Sequence, residues 1–300
     1  MDERFCLLTV HAHPDDEASK GPATVAKYKA AGVHTVLVTC TGGEEGDILN
    51  PAMDRPEVRA DLAGVRAREL EEAARVIGYD EVVLLGYRDS GMPGSEANAN
   101  PASFGAADLD EAVGRLVAVM RRVRPQVVIG YGEDHSGYPH PDHIRAHEIA
   151  CAAFAAAGDP ARYPAAGQAY EPLKLYYTVW SRRRILESHA KFLELGLESP
   201  YDESWFERAE RRADEEEKVT TSIDLTGFED VRRHALLAHA TQIDPTSRFW
   251  FGLPEEEARK IYPFDDYILA ESRVETELPE TDLFAGVVAA ELPLASGGAL

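Results

Sequence analysis

The chain of 300 residues carries 31 Lys and Arg against 53 Asp and Glu, which gives a formal net charge of −22. This charge argues against a nucleic-acid binder and against docking on anionic membranes, because both need clustered cations. Hydrophobic residues make up 44% of the chain, which is ordinary for a globular protein and excludes a disordered one. The chain has only three cysteines, no signal-peptide pattern and no long apolar run. These features together predict a cytoplasmic protein without disulfides.

Short apolar runs alternate with helical patterns over the first 180 residues. The predicted strands are residues 5–10, 33–40, 81–85, 126–131 and 174–180, and the predicted helices between them are residues 23–31, 57–77, 108–122 and 142–156. Continuous apolar strands that alternate with helices are typical of a mostly parallel sheet with helices on both faces. The sequence therefore predicts a Rossmann-like α/β fold, in which binding sites lie outside the carboxyl ends of the strands.

The last third of the chain has a less regular pattern. The predicted helices are residues 182–195, 203–218 and 229–240, the predicted strand is residues 219–225, and residues 267–274 are ambiguous. No Gly-, Ser- or Pro-rich linker separates this part from the rest. We therefore expect one α/β domain over residues 1–286, made of a core (1–180) and a C-terminal elaboration (181–286). Residues 287–300 are expected to form a flexible tail.

A cluster of histidines and acids directly follows the first predicted strand. It reads His-Ala-His-Pro-Asp-Asp-Glu from His11 to Glu17. Neutral imidazole and carboxylate groups are the side chains that hold a divalent metal such as zinc. On a tight loop, His13 and Asp16 can both turn inward, with Asp15 beside the metal. A helix N-terminus rich in acids would explain residues 15–17 without a metal, but it leaves the two histidines unexplained.

A second cluster follows the fourth predicted strand. His140, His143 and His147 occur there at helical spacing. A helix that starts near Pro141 would present two of them on one side. On its own, this segment also fits a polar loop with a helix-capping Asp142. Because the carboxyl ends of parallel strands meet at one edge of a sheet, the two clusters together predict a metal site with two His, one Asp and open coordination positions.

Two further polar loops follow the second and third predicted strands, at residues 42–47 and 87–91. The first is rich in glycine, but its acids would repel phosphate and no Lys follows, so it does not indicate a nucleotide site. Acids and an Arg are better suited to hydrogen bonds with sugar hydroxyls. The cysteines and His34 are interpreted as packing residues, whereas His239 fits either a packing or a functional role.

These motifs resemble the LmbE-like (PIG-L) family of zinc-dependent N-acetylglucosamine deacetylases. The resemblance covers most of the chain and rests on His-Pro-Asp-Asp-Glu after the first strand, His-Pro-Asp-His after the fourth, and the polar loops Gly-Gly-Glu-Glu-Gly-Asp and Gly-Tyr-Arg-Asp-Ser-Gly. It implies zinc on His13, Asp16 and His143, a ligand set that also suits Fe(II). It also implies that Asp15 is the general base. If Asp15 does not act in this way, Glu17 is the next candidate.

The resemblance further implies roles for the residues around the metal. Tyr138 and His140 would flank the scissile carbonyl, and Asp142 would orient His140. Arg66, Asp89 and His140 would contact the glucosamine ring. The sequence is compatible with either Tyr138 or His140 as the group that stabilises the oxyanion, and with either His140 or the general base as the donor of a proton to the leaving amine.

Lys20 is the candidate for selecting the acyl group. It comes three residues after Glu17, at the start of the first crossover helix, and the resemblance places Lys here in amidases and a small polar residue in deacetylases. The ammonium group could bind a carbonyl or carboxylate on a bulky conjugate, whereas an acetyl group has no such acceptor for it to bind. The alternative interpretation is a solvent-exposed Lys at a helix start.

Three functions are compatible with the sequence. The first is a metal-dependent amide hydrolase that cleaves the glucosaminyl amide bond of mycothiol S-conjugates, a detoxification reaction. The second is an N-deacetylase of N-acetylglucosaminyl-inositol or a related sugar. The third is a non-catalytic metal- or sugar-binding protein, against which Asp15, Tyr138 and His140 together argue, because binding alone needs no base. In every case the expected partner is a small molecule, a thiol conjugate or an amino sugar.

Overall fold

A seven-stranded sheet forms the centre of the molecule in the computed structural model, which describes residues 4–135, 138–202, 205–206 and 218–287. The strands are β1 (Cys6–His11), β2 (His34–Thr41), β3 (Glu81–Tyr87), β4 (Val127–Gly130), β5 (Lys174–Val179), β6 (Thr221–Asp224) and β7 (Phe264–Ser272). Their order in the sheet is β3-β2-β1-β4-β5-β7-β6. The first five strands of this order are parallel, whereas β7 is antiparallel to both β5 and β6. The predicted mostly parallel α/β sheet is therefore confirmed.

Helices connect the strands and cover the sheet. The α-helices that lie wholly within the described residues are α1 (Asp16–Ser19), α2 (Pro22–Ala30), α3 (Pro56–Ala60), α4 (Leu62–Ile77), α5 (Leu109–Val123), α6 (Pro141–Ala156), α7 (Arg182–Glu194), α8 (Val231–Ala238), α9 (Arg248–Phe251) and α10 (Glu255–Ala258). The chain winds outward from β1 to β3, and then returns to place β4 on the other side of β1. Loops that leave β1 and β4 therefore diverge and open a crevice at their carboxyl ends.

The hydrophobic core lies on both faces of the sheet. Leu8 and Val10 of β1 pack in a cluster with apolar residues of α5 and α6. Leu7, which precedes them in sequence, packs in a second cluster with residues of α2 and α8. This division follows from the alternation of side chains along a strand, so a strand covered on both faces reads as a continuous apolar run. The prediction of helices on both faces is confirmed.

One predicted helix and one ambiguous segment need correction. The helix expected over residues 57–77 is two helices, α3 and α4, because Asp61 interrupts it. The backbone of Asp61 leaves the helical region, and its carboxylate accepts a hydrogen bond of 3.2 Å from the Gly64 N–H, so Asp61 caps α4. The ambiguous residues 267–274 belong mostly to β7, which pairs with strands on both sides. The helix expected at 203–218, with its acidic stretch, and the tail expected at 287–300 fall largely outside the described residues.

The described part of the chain contains neither a disulfide nor a membrane-spanning helix. Cys6 and Cys40 are buried, Cys151 is half-buried, and all three are free thiols. Burial raises the pKa of the Cys6 thiol to about 12, consistent with the expected packing role. No helix within the described ranges has the length and hydropathy to cross a membrane.

A buried ion pair joins β5 to the segment that follows β7. The ammonium group of Lys174 contacts the carboxylate of Glu280, and both side chains are fully buried. The same carboxylate accepts hydrogen bonds from the hydroxyls of Tyr176 at 2.6 Å and Thr221 at 2.9 Å. Glu280 therefore connects β5, β6 and the C-terminal segment through one group.

We expect Glu280→Ala to lower the free energy of unfolding by about 3–5 kcal/mol, because it leaves a buried ammonium group without a counter-charge. Urea unfolding followed by circular dichroism measures this loss. Glu277→Ala is the matched control, since Glu277 is exposed in the same segment, and it should change the free energy of unfolding by less than about 0.5 kcal/mol. Equal effects of the two substitutions would contradict a stabilising role for the buried pair.

Candidate active site

The two histidine-rich segments meet at the carboxyl ends of β1 and β4, which are neighbours in the sheet. His13 and Asp16 lie in the turn and short helix that follow β1, and His143 lies in the first turn of α6. Pro141 occupies the start of α6, where its missing N–H costs no helical hydrogen bond. The fold therefore brings together the three residues that the sequence proposed as metal ligands.

His13, Asp16 and His143, here called the metal cluster, have the geometry and chemistry of a metal site. Asp16 Oδ2 lies 3.5 Å from His13 Nδ1 and 3.4 Å from His143 Nε2. All three residues are buried, and their ligand atoms lie within 4.8 Å of one another. Two imidazole nitrogens and one carboxylate oxygen are a common donor set for catalytic zinc, and they also suit Fe(II). The residues therefore fit a divalent metal.

Asp16 is held by two further side chains. The Tyr131 hydroxyl donates to Asp16 Oδ2 at 2.7 Å and accepts from the Ala12 N–H at 2.8 Å. The Lys20 ammonium contacts Asp16 Oδ1. Burial alone would raise the pKa of Asp16, but Lys20 and His143 outweigh it and hold this pKa well below its usual value. The sequence motifs do not include Tyr131, although its place at the end of the fourth predicted strand is a usable signal.

The other ring nitrogen of His13 faces two carboxylates. His13 Nε2 lies 3.1 Å from Asp142 Oδ2 and 3.6 Å from Asp89 Oδ1. Burial opposes protonation of His13, but its hydrogen bonds with Asp142 and Asp16 raise its pKa well above the usual value. A metal-binding His commonly donates its second N–H to a carboxylate, which fixes the tautomer and the ring orientation. Asp142 is therefore placed to orient His13 for binding through Nδ1.

Asp142 also orients His140, but through its backbone. The Asp142 N–H donates to His140 Nδ1 at 3.2 Å, so His140 is the N-cap of α6. The Asp142 carboxylate instead accepts two hydrogen bonds from Ser90, one from the Ser90 backbone N–H at 2.9 Å and one from the Ser90 hydroxyl. Ser90 is fully buried. Sequence reasoning included Ser90 in a motif without giving it a role, and the structure identifies it as the support of Asp142.

Asp15 lies beside the metal cluster in an unusual backbone conformation. Its φ of 106° lies in the left-handed region, which residues other than glycine rarely adopt. The Asp15 N–H donates to the Glu17 carboxylate at 2.9 Å, and Glu17 is paired with His239, both side chains being fully buried. Asp15 Oδ2 lies 3.1 Å from Arg66 Nη2, and burial raises the pKa of the Asp15 carboxyl. The Glu17–His239 pair thus supports the strained turn that presents Asp15.

Arg66 and Asp89 line the cavity that contains the metal cluster, which has a volume of about 690 Å³. Arg66 also donates to the backbone carbonyls of Gly43 and Pro14, and Asp89 accepts from the Gly91 N–H at 2.8 Å. These bonds fix both side chains near the loops that follow β2 and β3. They therefore lie at the side of the cavity where the sequence predicted sugar contacts.

Tyr138 and Lys20 also line this cavity. Tyr138 is half exposed, and its ring centroid lies 5.1 Å from that of His143 and 5.9 Å from that of His140. Lys20 ends the short helix α1 instead of starting the crossover helix, and only 26% of its side chain is exposed. The alternative of a solvent-exposed Lys is therefore wrong. In the structure its ammonium points to Asp16.

His11 and His147 do not join the metal cluster. His11 is buried, and its ring centroid lies 6.0 Å from that of Tyr131, with the two rings nearly perpendicular. Burial lowers the pKa of His11 to about 4. His147 Nδ1 lies 2.9 Å from the backbone carbonyl of Tyr131. Of the helically spaced histidines, the structure thus brings only His143 into the cluster, with His140 packed against it.

Comparisons with known proteins identify the family. The family model described as PIG-L, GlcNAc-PI de-N-acetylase, matches residues 8–154. The mycothiol S-conjugate amidase of Streptomyces coelicolor is 45% identical over 295 residues, which cover 96% of this chain and 99% of that protein. This chain belongs to the PIG-L family. The predicted family and the predicted class, an amide hydrolase, are thereby confirmed.

The family contains relatives with a second activity. The 1D-myo-inositol 2-acetamido-2-deoxy-alpha-D-glucopyranoside deacetylase of Streptomyces avermitilis is 42% identical over 295 residues, which cover 94% of this chain and 97% of that protein. Both relatives match this chain over nearly its whole length. Family membership therefore does not distinguish between the two substrates, and the distinction must come from the residues of the active site.

Solved structures confirm the fold. The N,N'-diacetylchitobiose deacetylase from Pyrococcus horikoshii has a TM-score of 0.58 at 18% identity, covering 87% of this chain and 82% of that one. The 4-carboxy-2-hydroxymuconate hydratase GalB from Pseudomonas putida has a TM-score of 0.59 at 18% identity, covering 91% of this chain and 99% of that one. Because GalB is a hydratase and the first protein is a deacetylase, the fold by itself does not specify the reaction.

Proposed function

We propose that this PIG-L protein is a metal-dependent amidase that hydrolyses the glucosaminyl amide bond of mycothiol S-conjugates. The products would be glucosaminyl-inositol and a cysteine S-conjugate. The observation that carries the proposal is the metal cluster, with Asp15 beside it, in a cavity of about 690 Å³ that reaches as far as Trp180 and Trp250. An acetyl group would fill little of this space. The 45% identity to an amidase over nearly the whole chain supports the same substrate.

In the proposed reaction, water adds to the amide carbonyl and the C–N bond breaks to give a carboxylate and an amine. A divalent metal held by the metal cluster would acidify the water and polarise the carbonyl. Asp15 accepts the proton of the water as the C–O bond forms. The Tyr138 hydroxyl and the ring of His140 are the donors available to the oxyanion. The nitrogen then leaves with a proton from His140 or from Asp15.

Deacetylation of N-acetylglucosaminyl-inositol is the second candidate function, and the 42% identity to a deacetylase favours it. Both reactions break the same bond to the same sugar, so the metal cluster cannot distinguish them. The distinction lies in the groups that contact the acyl side of the substrate. Comparing the two substrates with one preparation of the metal-loaded protein, and quantifying the free amine, tests the proposal directly.

We expect kcat/KM for a mycothiol S-conjugate to exceed that for N-acetylglucosaminyl-inositol by at least about 10-fold, because only the conjugate has an acyl part large enough to use the rest of the cavity. The opposite preference would establish the deacetylase. Absence of free amine from both substrates, with the metal bound, would contradict both functions.

Lys20→Ser is expected to lower kcat/KM for conjugates more than for the acetylated sugar, by a differential of about 10- to 150-fold, as for the loss of one hydrogen bond to a charged group. Because Lys20 also contacts Asp16, the substitution can change metal binding, which affects both substrates alike. The ratio of the two kcat/KM values is therefore the readout, measured together with the metal content.

Lys27→Ser is the matched control for Lys20, since Lys27 lies on α2 and donates to the backbone carbonyl of Asp224 outside the cavity. It should leave the ratio unchanged. Equal losses on both substrates in Lys20→Ser would show that Lys20 does not select the acyl group, and selection would then lie in the C-terminal third of the chain.

A further inference from the structure

All three tryptophans of the chain line the cavity that contains the metal cluster. Trp180, Trp205 and Trp250 surround Phe249, with ring centroids 6.2, 5.3 and 4.7 Å from that of Phe249. The four side chains, here called the aromatic wall, are only half-buried. A continuous group of aromatic rings therefore faces the same space as the proposed catalytic groups.

The order of the strands places the aromatic wall and the polar loops on opposite sides of the metal cluster. The cluster follows β1 and β4, which are central, whereas Trp180 directly follows β5 on one side. Glu45 and Asp89 follow β2 and β3 on the other side, and both line the cavity. A substrate with its amide at the metal cluster thus meets charged groups in one direction and aromatic rings in the other.

The chemistry of a glucosaminyl amide determines which half of the substrate suits each side. The sugar carries hydroxyls, which need hydrogen-bond partners such as Asp89 and Glu45. Exposed aromatic surface is stabilised when an apolar group displaces water from it, and aromatic rings pair favourably in stacked or edge-to-face arrangements. An acetyl group ends one carbon beyond the scissile carbonyl, so it would not cover a wall of four rings.

We infer that the aromatic wall is a subsite for a large apolar or aromatic substituent on the acyl half of the substrate. In a thioether conjugate, this substituent is the group attached to sulfur. The inference rests on the proposed function and adds a class of substrate to it, because amide cleavage alone does not require an aromatic substituent. The site thereby favours conjugates of aromatic electrophiles over those of small alkyl groups.

Two conjugates that differ only at sulfur, S-benzyl and S-methyl, test the subsite kinetically. We expect kcat/KM for the S-benzyl conjugate to be about 10-fold higher or more, as for burial of one aromatic ring. A ratio near one would overturn the inference while leaving the proposed amidase function intact. If neither conjugate is cleaved, the proposed function fails, and the binding measurement described below decides the subsite independently.

Phe249→Ala removes the ring that contacts the other three, and it should bring the S-benzyl to S-methyl ratio close to one. Phe251→Ala is the matched control, because Phe251 lies on the same helix α9 but packs against the core outside the cavity. It should keep the wild-type ratio. An equal fall of the ratio in both variants would indicate a general packing effect and would overturn the inference.

Tryptophan fluorescence tests the subsite without any substitution in the wall, because every tryptophan belongs to it. An S-(4-nitrobenzyl) conjugate should quench the emission of metal-loaded Asp15→Asn, which turns the conjugate over too slowly to consume it during the titration, in a saturable manner. Its Kd should be at least about 10-fold lower than that of the S-methyl conjugate, measured by competition. Non-saturable quenching, or equal affinity of the two conjugates, would overturn the inference even if Phe249→Ala did not fold.

Discussion

His143→Ala is expected to lose most of its bound metal and to lower kcat by on the order of 10⁴-fold or more. His143 supplies one of the three ligand atoms of the metal cluster, with its Nε2 3.4 Å from Asp16 Oδ2. Without the metal, the attacking water keeps a pKa near 15.7 instead of about 7, and the carbonyl is no longer polarised. Metal content by mass spectrometry and amine release under saturating substrate measure the two losses.

The substitution should not unfold the protein, because the three ligands come from two distant segments and the core packs independently of them. An unchanged circular dichroism spectrum checks this point. His147→Ala is the matched control, one helical turn further along α6, where the side chain bonds to the Tyr131 carbonyl. It should retain the metal. Full metal occupancy in His143→Ala would refute the ligand assignment.

Asp15→Asn is expected to retain the metal and to lower kcat by about 10²–10⁴-fold, the usual loss for a general base. Asp15 lies outside the metal cluster, and its carboxylate faces Arg66 at 3.1 Å. The amide of Asn keeps the size of the side chain and the support of the turn by Glu17, but it cannot take a proton from water. The measurements are kcat and metal content on one preparation.

Asp16→Asn provides the contrast, since it alters a proposed ligand one residue away and should lower the metal content together with the activity. Near-normal turnover in Asp15→Asn would contradict its assignment as the base. The sequence named Glu17 as the next candidate in that case. The structure argues against Glu17, because its side chain is fully buried and paired with His239, so it cannot reach water in the cavity.

The sequence by itself determined the fold and the meeting of the two histidine-rich segments, whereas the family resemblance implied which of their residues would hold a metal. Continuous apolar runs that alternate with helices indicate a parallel sheet covered on both faces, and Leu7 and Leu8 indeed pack on opposite sides. Parallel strands present their carboxyl ends at one edge, so two clusters after β1 and β4 had to lie near each other. These inferences succeed because they use periodicity and topology, which are encoded locally along the chain.

Only the tertiary structure decided which partner each side chain has. Ser90 supports Asp142, His239 pairs with Glu17, and residues near 180, 205 and 250 assemble one aromatic wall. Each of these contacts joins residues that are far apart in sequence and belong to segments without a clear pattern. The direction in which such a side chain points depends on where its segment packs and which buried polar groups need a partner. Periodicity shows that a residue is buried, but three-dimensional packing selects its neighbours.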